Sequence, residues 1–156
     1  MAVAAHDPLA IDHKIHAACN FGPTIPECMT VGLGPQAFDC SGLVIAAIVQ
    51  VMGYEPTAWP PERRHVRQMH PMAEPTDLRE AEVGDLLTLG RLYTIQGITE
   101  VVPAHIGIVV ARAESHVLFM HAQAAAGRIL TSKLEYSNAD RIGKLLGLIN
   151  PLTMIS

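Results

Sequence analysis

A cysteine directly ahead of an apolar segment is the residue of this sequence best suited to nucleophilic chemistry. The motif FDCSG at 38–42 precedes the run LVIAAIVQVMGY, whose apolarity on nearly every face is typical of a buried helix. A thiol at a helix N-terminus faces unpaired backbone N–H groups and the positive end of the helix dipole, and both favour the thiolate. We therefore predict a lowered pKa and a nucleophilic role for Cys40. The alternative is an inert thiol, because free cysteine is among the most buried residue types.

A cysteine nucleophile needs a base, and two of the eight histidines are placed to provide one. His105 opens the segment HIGIVVA and His121 lies late in HVLFMHA, and both segments have the composition of strands. If these strands pair across the turn at 112–115, residues whose numbers sum to about 227 lie opposite one another, which brings the two histidines together. We predict a base and an orienting group. The alternative is two half-buried strand histidines with backbone partners.

The elements that position these residues indicate an α+β fold. Spacing predicts a helix over 8–19, an irregular Gly- and Pro-rich loop over 20–38, and a central helix that starts after Asp39 and stops at Gly53. A short polar helix is predicted near 62–69. Strands are predicted at 85–89, 105–111, 116–122, 127–132 and 144–149, with 90–103 as a hairpin or an excursion. Helices first and strands afterwards favour a helix packed on an antiparallel sheet.

Composition narrows the class of protein. The 156 residues predict one domain, with an N-terminal helix and loop at 1–35 and a catalytic core at 36–149. The net charge of −4 gives no sign of the basic face of a nucleic-acid binder. The longest apolar run has about ten residues, too few to cross a bilayer, and the N-terminus shows no secretory signal. Three cysteines are an odd number, which suggests a free thiol.

Four motifs together resemble those of the NlpC-type cell-wall peptidases. They are FDCSGLV at 38–44, GDLL at 84–87, HIGIVV at 105–110 and FMHA at 119–122, in the family's order. The resemblance extends from about residue 36 to residue 149. It implies a minimal papain-like fold with a buried central helix that carries the cysteine. It also implies hydrolysis of amide bonds in peptidoglycan stem peptides, commonly the γ-D-glutamyl bond to a diamino acid, without a cofactor.

The same resemblance assigns roles to individual residues. It implies Cys40 as nucleophile, His105 as general base and then acid, and His121 as the orienting residue. Asp39 and Ser41 are expected to flank the substrate and to bind its peptide end. The stretch NFGPTIPECMTVGLGPQA departs from the family, because it lacks the aromatic and glycine pattern that shapes the substrate pocket in many members.

An arginine is also expected near the substrate. The three candidates follow the Pro-rich loop, and we choose Arg63 over Arg64 and Arg67 as the substrate-binding residue. The alternative is that all three lie on a solvated helix face.

Other interpretations of the sequence stay open. A zinc site is not expected, because His13, His16, Cys19 and Cys28 lack the tight paired spacings of structural zinc. Cys19 and Cys28 could instead form a disulfide, although two free thiols are the simpler prediction.

Function leaves alternatives too. The same scaffold could carry an amidase, a deamidase or another acyl transferase, or could be a non-catalytic phage tail module. The expected partner is a peptidoglycan peptide, with no nucleic acid and no membrane, and a monomer is expected. An immunity or inhibitor protein would be a further partner. Localisation stays unknown: the site of action is expected at the bacterial cell wall, as for a phage lysin, a tail-associated or injected effector, or a domain trimmed from a secreted enzyme.

Overall fold

The central helix begins and ends where its capping residues predict. A computed structural model describes residues 39–53, 55, 59–123, 128–139 and 145–154. Helix α1 spans Cys40–Met52, and the side chain of Asp39 caps it by accepting the backbone N–H of Gly42. Gly53 ends the helix in the left-handed conformation at φ 71°, which a residue without Cβ adopts without strain. The predicted start and stop of this helix are confirmed.

Five antiparallel strands form one sheet in the order β4-β3-β2-β1-β5. The strands are β1 Leu86–Ile95, β2 Ile98–Arg112, β3 His116–Gln123, β4 Arg128–Glu135 and β5 Leu145–Ile149. All five predicted strands are confirmed in position. The ambiguous stretch 90–103 forms the outer part of a long β1–β2 hairpin, and Gln96 and Gly97 turn the chain there with positive φ. The mixture of helix with an antiparallel sheet confirms the α+β class.

The region between α1 and the sheet holds short helical segments. The predicted polar helix at 62–69 is divided into a 3-10 turn, Pro61–Arg63, and helix α2, Val66–Met69, because the backbone of His65 is extended. The side chain of Gln68 accepts the backbone N–H groups of Arg64 and His65, each at 3.0 Å, and so compensates for helical bonds that the break removes. Further short segments are α3 Tyr136–Ala139 and 3-10 turns at His70–Met72, Leu78–Glu80 and Pro151–Met154.

Apolar side chains on both faces of the sheet are buried, following the alternation of strand residues. On the helix side, α1 packs on β2 and β3, and the core there includes Val44, Leu86, Ile106 and Ile149. On the opposite side, the core consists of Leu78, Ala81, Leu87, Val109, Val117, Phe119, Leu134, Tyr136, Ala139 and Leu148. A sheet covered on both faces fixes the register of β2 and β3, the two strands that carry the candidate histidines.

Helix α1 is buried over only part of its length. Its buried residues lie between Ser41 and Val49, whereas Gln50, Val51 and Met52 are exposed. Burial of the helix on all sides, which its apolar sequence predicts, is therefore wrong for the last turn. The predicted helix at 8–19, the loop at 20–38 and the N-terminal part of the expected domain at 1–35 lie outside the described residues.

Candidate active site

The thiol of Cys40 lies against the backbone of strand β2. Cys40 is the first residue of α1 and packs on the helix-side core. The backbone N–H of Ile106, the residue that follows His105, is near enough to the sulfur to lower the pKa of the thiol. The pairing of β2 with β3 starts only at Ile108 and Met120. Ile106 thus lies past the end of that ladder, at the level where the start of α1 packs on β2.

The surroundings of the thiol oppose its ionisation. Burial raises the pKa of Cys40 to about 12, and the neighbouring carboxylate of Asp39 contributes in the same direction. The backbone N–H groups of Ile106 and Ser41 and the charge of Arg64 lower the pKa, but by less. The predicted lowering of the Cys40 pKa is therefore wrong. The helix N-terminus does favour the thiolate, yet loss of water and an adjacent negative charge outweigh it.

A buried ion pair holds the start of the helix. Arg64 has no exposed surface, and its Nη2 lies 3.2 Å from Asp39 Oδ2 while its Nη1 donates to Ser41 Oγ at 2.8 Å. Ser41 in turn donates to Asp39 Oδ1 at 3.3 Å. We call Asp39, Ser41 and Arg64 the charged cluster. Because the carboxylate caps α1 and also pairs with Arg64, it links the helix start to the turn before α2.

The structure distinguishes the arginines that the sequence offered. Arg64 reaches Asp39, whereas the guanidinium of Arg63 donates to the backbone carbonyl of Thr153 at 3.1 Å. Arg63 also accepts, at its backbone carbonyl, the indole N–H of Trp59 at 2.8 Å. Arg67 is exposed on α2. The arginine that contacts the cysteine motif is thus Arg64, and the sequence analysis chose its neighbour Arg63. A substrate contact by Arg63 stays a prediction.

Two histidines and a serine form a hydrogen-bonded chain on the sheet. His105 Nε2 lies 2.6 Å from His121 Nδ1, and His121 Nε2 lies 2.7 Å from Ser132 Oγ. The two rings meet edge to face, with centroids 4.8 Å apart and planes at 79°. We call these three residues the histidine relay. The predicted proximity of His105 and His121 is confirmed. Ser132 was not predicted as a site residue, although it lies in the predicted strand GRILTS.

The register of β2 and β3 explains why these side chains meet. Ile108 pairs with Met120, so the numbers of paired residues sum to 228, one more than predicted. A bulge between Val109 and Ala111 shifts the register on the C-terminal side of β2. Extended along β2, this register puts His121 opposite Gly107. His105, two residues away from that position, is its diagonal neighbour on the same face.

Gly107 makes room for the histidine relay. A Cβ at this position would lie 2.7 Å from Cδ2 of Phe119 and 3.0 Å from the carbonyl oxygen of Met120. The ring of Phe119 uses this space and packs on His121, with centroids 4.6 Å apart. The glycine two residues after His105 therefore has a packing role, because a side chain there would displace the ring that supports His121.

His121 is kept neutral by its surroundings. Its side chain is nearly buried, with the residue 4% exposed, and desolvation lowers its pKa below the ordinary value of 6.5. A neutral imidazole donates from one ring nitrogen and accepts at the other, and both nitrogens of His121 are in hydrogen-bond contacts. The ring can therefore accept a hydrogen bond from His105 without carrying a charge of its own.

The thiol of Cys40 and the imidazole of His105 lie on different sides of β2. Strand alternation places the side chain of Ile106 on the helix side, and those of His105 and Val109 on the other side. The sulfur of Cys40 lies at the level of the strand backbone, one residue from His105. The unpaired end of the β2–β3 ladder therefore has a thiol on one side of β2, and an imidazole with a supporting imidazole on the other. These are the groups that acyl transfer requires.

Within the described ranges, no group of three or more His, Cys, Asp and Glu side chains is arranged to hold a metal ion. No helix in that part of the chain has the length and apolarity needed to cross a bilayer. The residues weighed for zinc or a disulfide lie outside it: His13, His16, Cys19 and Cys28.

Comparison of the chain with protein-family models and with curated proteins found no match in either.

Proposed function

We propose that the protein is a papain-like cysteine hydrolase that cuts amide bonds in peptidoglycan stem peptides, of the γ-D-glutamyl-diamino acid type. One observation carries the reaction type: the thiol of Cys40 lies against the strand backbone next to His105, whose imidazole is bonded to His121. The substrate class rests on the resemblance of the four motifs to the NlpC-type peptidases. Geometry and motifs support the same nucleophile and the same base.

The raised pKa of Cys40 determines how the nucleophile is activated. A thiol whose pKa is about 12 is almost entirely protonated at neutral pH. Attack therefore requires a base that takes the proton as the carbon–sulfur bond forms, instead of a thiolate formed beforehand. In this mechanism Nδ1 of His105 takes the proton, while Nε2 keeps its contact with His121.

The reaction then proceeds in two acyl-transfer steps. Cys40 attacks the carbonyl carbon of the stem peptide, and backbone N–H groups at the start of α1 stabilise the oxyanion. His105, protonated at Nδ1, gives that proton to the leaving amine, which leaves a thioester on Cys40. His105 next removes a proton from water, water attacks the thioester, and the returned proton restores the thiol. His121 accepts a hydrogen bond from His105 in every step, whether the imidazole of His105 is neutral or charged.

The exposure of each candidate side chain determines how it contacts the substrate in this proposal. Asp39 and Ser41 are 3% and 2% exposed, so in this proposal they hold the start of α1 and approach the substrate through the backbone. Arg63 is only half-buried and remains the proposed side-chain contact to the peptide. This assignment modifies the role of Asp39 and Ser41 that the family resemblance implies.

A second candidate is a non-catalytic module, such as a phage tail component that retains the fold. The raised pKa of Cys40 favours it, because a protonated thiol is unreactive at neutral pH unless a base acts on it. The two candidates differ in a single property, which is whether His105 takes the thiol proton during attack.

Digestion of purified sacculi tests the proposal. The wild-type protein should release soluble muropeptides with shortened stem peptides, detected by mass spectrometry, and Cys40→Ala should release none while unfolding at the same temperature as the wild type. A mass increase of about one unit without shortening would indicate a deamidase instead. Full activity in Cys40→Ala would end the mechanism, and an inactive wild type would favour the non-catalytic module.

A further inference from the structure

We propose that Ser132 is a positioning residue that determines which ring nitrogen of His121 carries the proton and, through His121, which nitrogen of His105 can act as a base. The consequence for catalysis rests on the proposed function. The proton arrangement itself is a property of the folded protein and can be measured without substrate.

The three side chains are held by paired strands. His121 on β3 pairs with Leu130 on β4, and Phe119 pairs with Ser132, so that Ser132 is the diagonal neighbour of His121. His121 contacts Ser132 at 2.7 Å through Nε2 and His105 at 2.6 Å through Nδ1. With Phe119 packed on its ring, His121 cannot turn over without losing both hydrogen bonds.

The chemistry of neutral imidazole allows two arrangements of the protons. Each ring has one N–H and one lone pair, and each contact in the relay needs one donor and one acceptor. In the first arrangement, His105 Nε2–H donates to His121 Nδ1, and His121 Nε2–H donates to the hydroxyl of Ser132. In the second, every hydrogen bond is reversed, and the hydroxyl donates to His121 Nε2. The proton on Ser132 and the protons on both rings are therefore coupled.

Only the first arrangement leaves a lone pair on His105 Nδ1, where the proton of Cys40 has to go. It also remains intact when His105 becomes charged, because the bond from Nε2–H to His121 then becomes a stronger, charge-assisted one. In the second arrangement Nδ1 already carries a proton and cannot act as the base. We therefore assign Ser132 the role of acceptor, with its own hydrogen directed away from His121.

Nitrogen-15 NMR of the histidine rings tests this assignment directly, since the two tautomers of a neutral imidazole have different ring-nitrogen shifts. His121 is identified by the signals lost in His121→Gln. In the wild type we expect the proton of His121 on Nε2. Ser132→Thr keeps the hydroxyl and should keep this tautomer, whereas Ser132→Ala should give a mixture of both.

Hydrolysis of stem peptides by the same variants gives the second readout. We expect kcat of Ser132→Ala to fall about 10- to 100-fold, part of the roughly 100- to 10,000-fold that a positioned base supplies, with KM unchanged. Ser132→Thr should restore kcat. If the wild-type protein carries the His121 proton on Nδ1, or if Ser132→Ala leaves the tautomer unchanged, the inference is overturned.

The two proposals fail in different ways. The expected tautomers without any hydrolysis would overturn the proposed function and leave the role of Ser132 intact. Hydrolysis that depends on Cys40, together with a tautomer that does not respond to Ser132, would overturn this inference alone. If Ser132→Ala does not fold, the wild-type tautomer still decides the assignment.

Discussion

The charged cluster is a buried chain of three polar residues and the histidine relay a partly buried one, and they differ in what their protons can do. The charged cluster joins a fully buried guanidinium to a carboxylate, and removing either charge would leave the other one uncompensated. The histidine relay joins two imidazoles to a hydroxyl, and burial lowers the pKa of His121, which favours its neutral form. The first is suited to hold a helix in place, and the second is suited to receive a proton.

Two members of the charged cluster act on the pKa of Cys40 in opposite directions. The carboxylate of Asp39 raises its pKa, while the guanidinium of Arg64 lowers it, and burial adds the largest increase. The charged cluster therefore positions the sulfur but does not ionise it. In the proposed mechanism, activation comes from the other side of strand β2, where the histidine relay lies. This division between support and activation is what the following variants are designed to break.

The largest effect is expected for Arg64→Met. The substitution leaves the carboxylate of Asp39 buried without its cation, which should lower the free energy of unfolding by about 3–5 kcal/mol. Urea unfolding, followed by circular dichroism, measures the change.

The matched control is Arg63→Met, one residue away. Arg63 is half-buried and its guanidinium bonds a backbone carbonyl near the C-terminal end, so a loss of about 1 kcal/mol or less is expected. Adding Asp39→Asn to Arg64→Met should recover part of the lost stability. A stability of Arg64→Met equal to that of the control would mean that the charged cluster does not support the helix.

A smaller effect is expected for Gly107→Ala. The new Cβ would lie 2.7 Å from the ring of Phe119, and overpacking of this kind costs about 1–3 kcal/mol. Because Phe119 supports His121, the folded variant should also hydrolyse stem peptides more slowly. Stability and the rate of hydrolysis are measured on the same preparation.

Gly147→Ala controls for strain alone. Its Cβ would lie 2.8 Å from the backbone carbonyl oxygen of Glu74, and Gly147 belongs to β5, which is separated from β3 by β1 and β2. We expect a comparable loss of stability and normal hydrolysis by the folded fraction. An equal loss of activity in both variants would show that Gly107 has no special relation to the histidine relay.

The smallest effect concerns the pH dependence of stability. Since the folded pKa of His121 lies below its unfolded value near 6.5, the unfolded chain binds more protons between the two values. Stability contributed by neutral His121 is thus present above about pH 6.5 and is lost as the pH falls through that window. Unfolding experiments between pH 5 and pH 8 should show a smaller decline in His121→Gln than in the wild type; equal declines would contradict the desolvation of this ring.

Local patterns predicted the backbone well. Asp39 and Gly53 bound the helix as capping chemistry requires, and the alternation of two strands brought His105 and His121 together although the register differed by one residue. The bulge in β2 that changes the register leaves no signature in the sequence.

Properties that depend on tertiary packing were not predictable. Burial is the largest cause of the raised pKa of Cys40, and the position at a helix start does not reveal it. The choice between Arg63 and Arg64 depends on an extended residue, His65, that interrupts the predicted helix. Ser132 could have been identified, because strand alternation in β4 places it beside His121 once β3 and β4 are paired.

The central claim is that the histidine relay activates a thiol that is protonated at rest, and two pH profiles test it together. One is the rate of Cys40 alkylation by iodoacetamide, followed at the peptide that contains this residue, and the other is the rate of stem-peptide hydrolysis. With a pKa of about 12, alkylation should rise about tenfold per pH unit without a plateau below about pH 10, while hydrolysis should already be fast near neutral pH. Profiles that rise together in the alkaline range, or an alkylation plateau below neutral pH, would contradict the account.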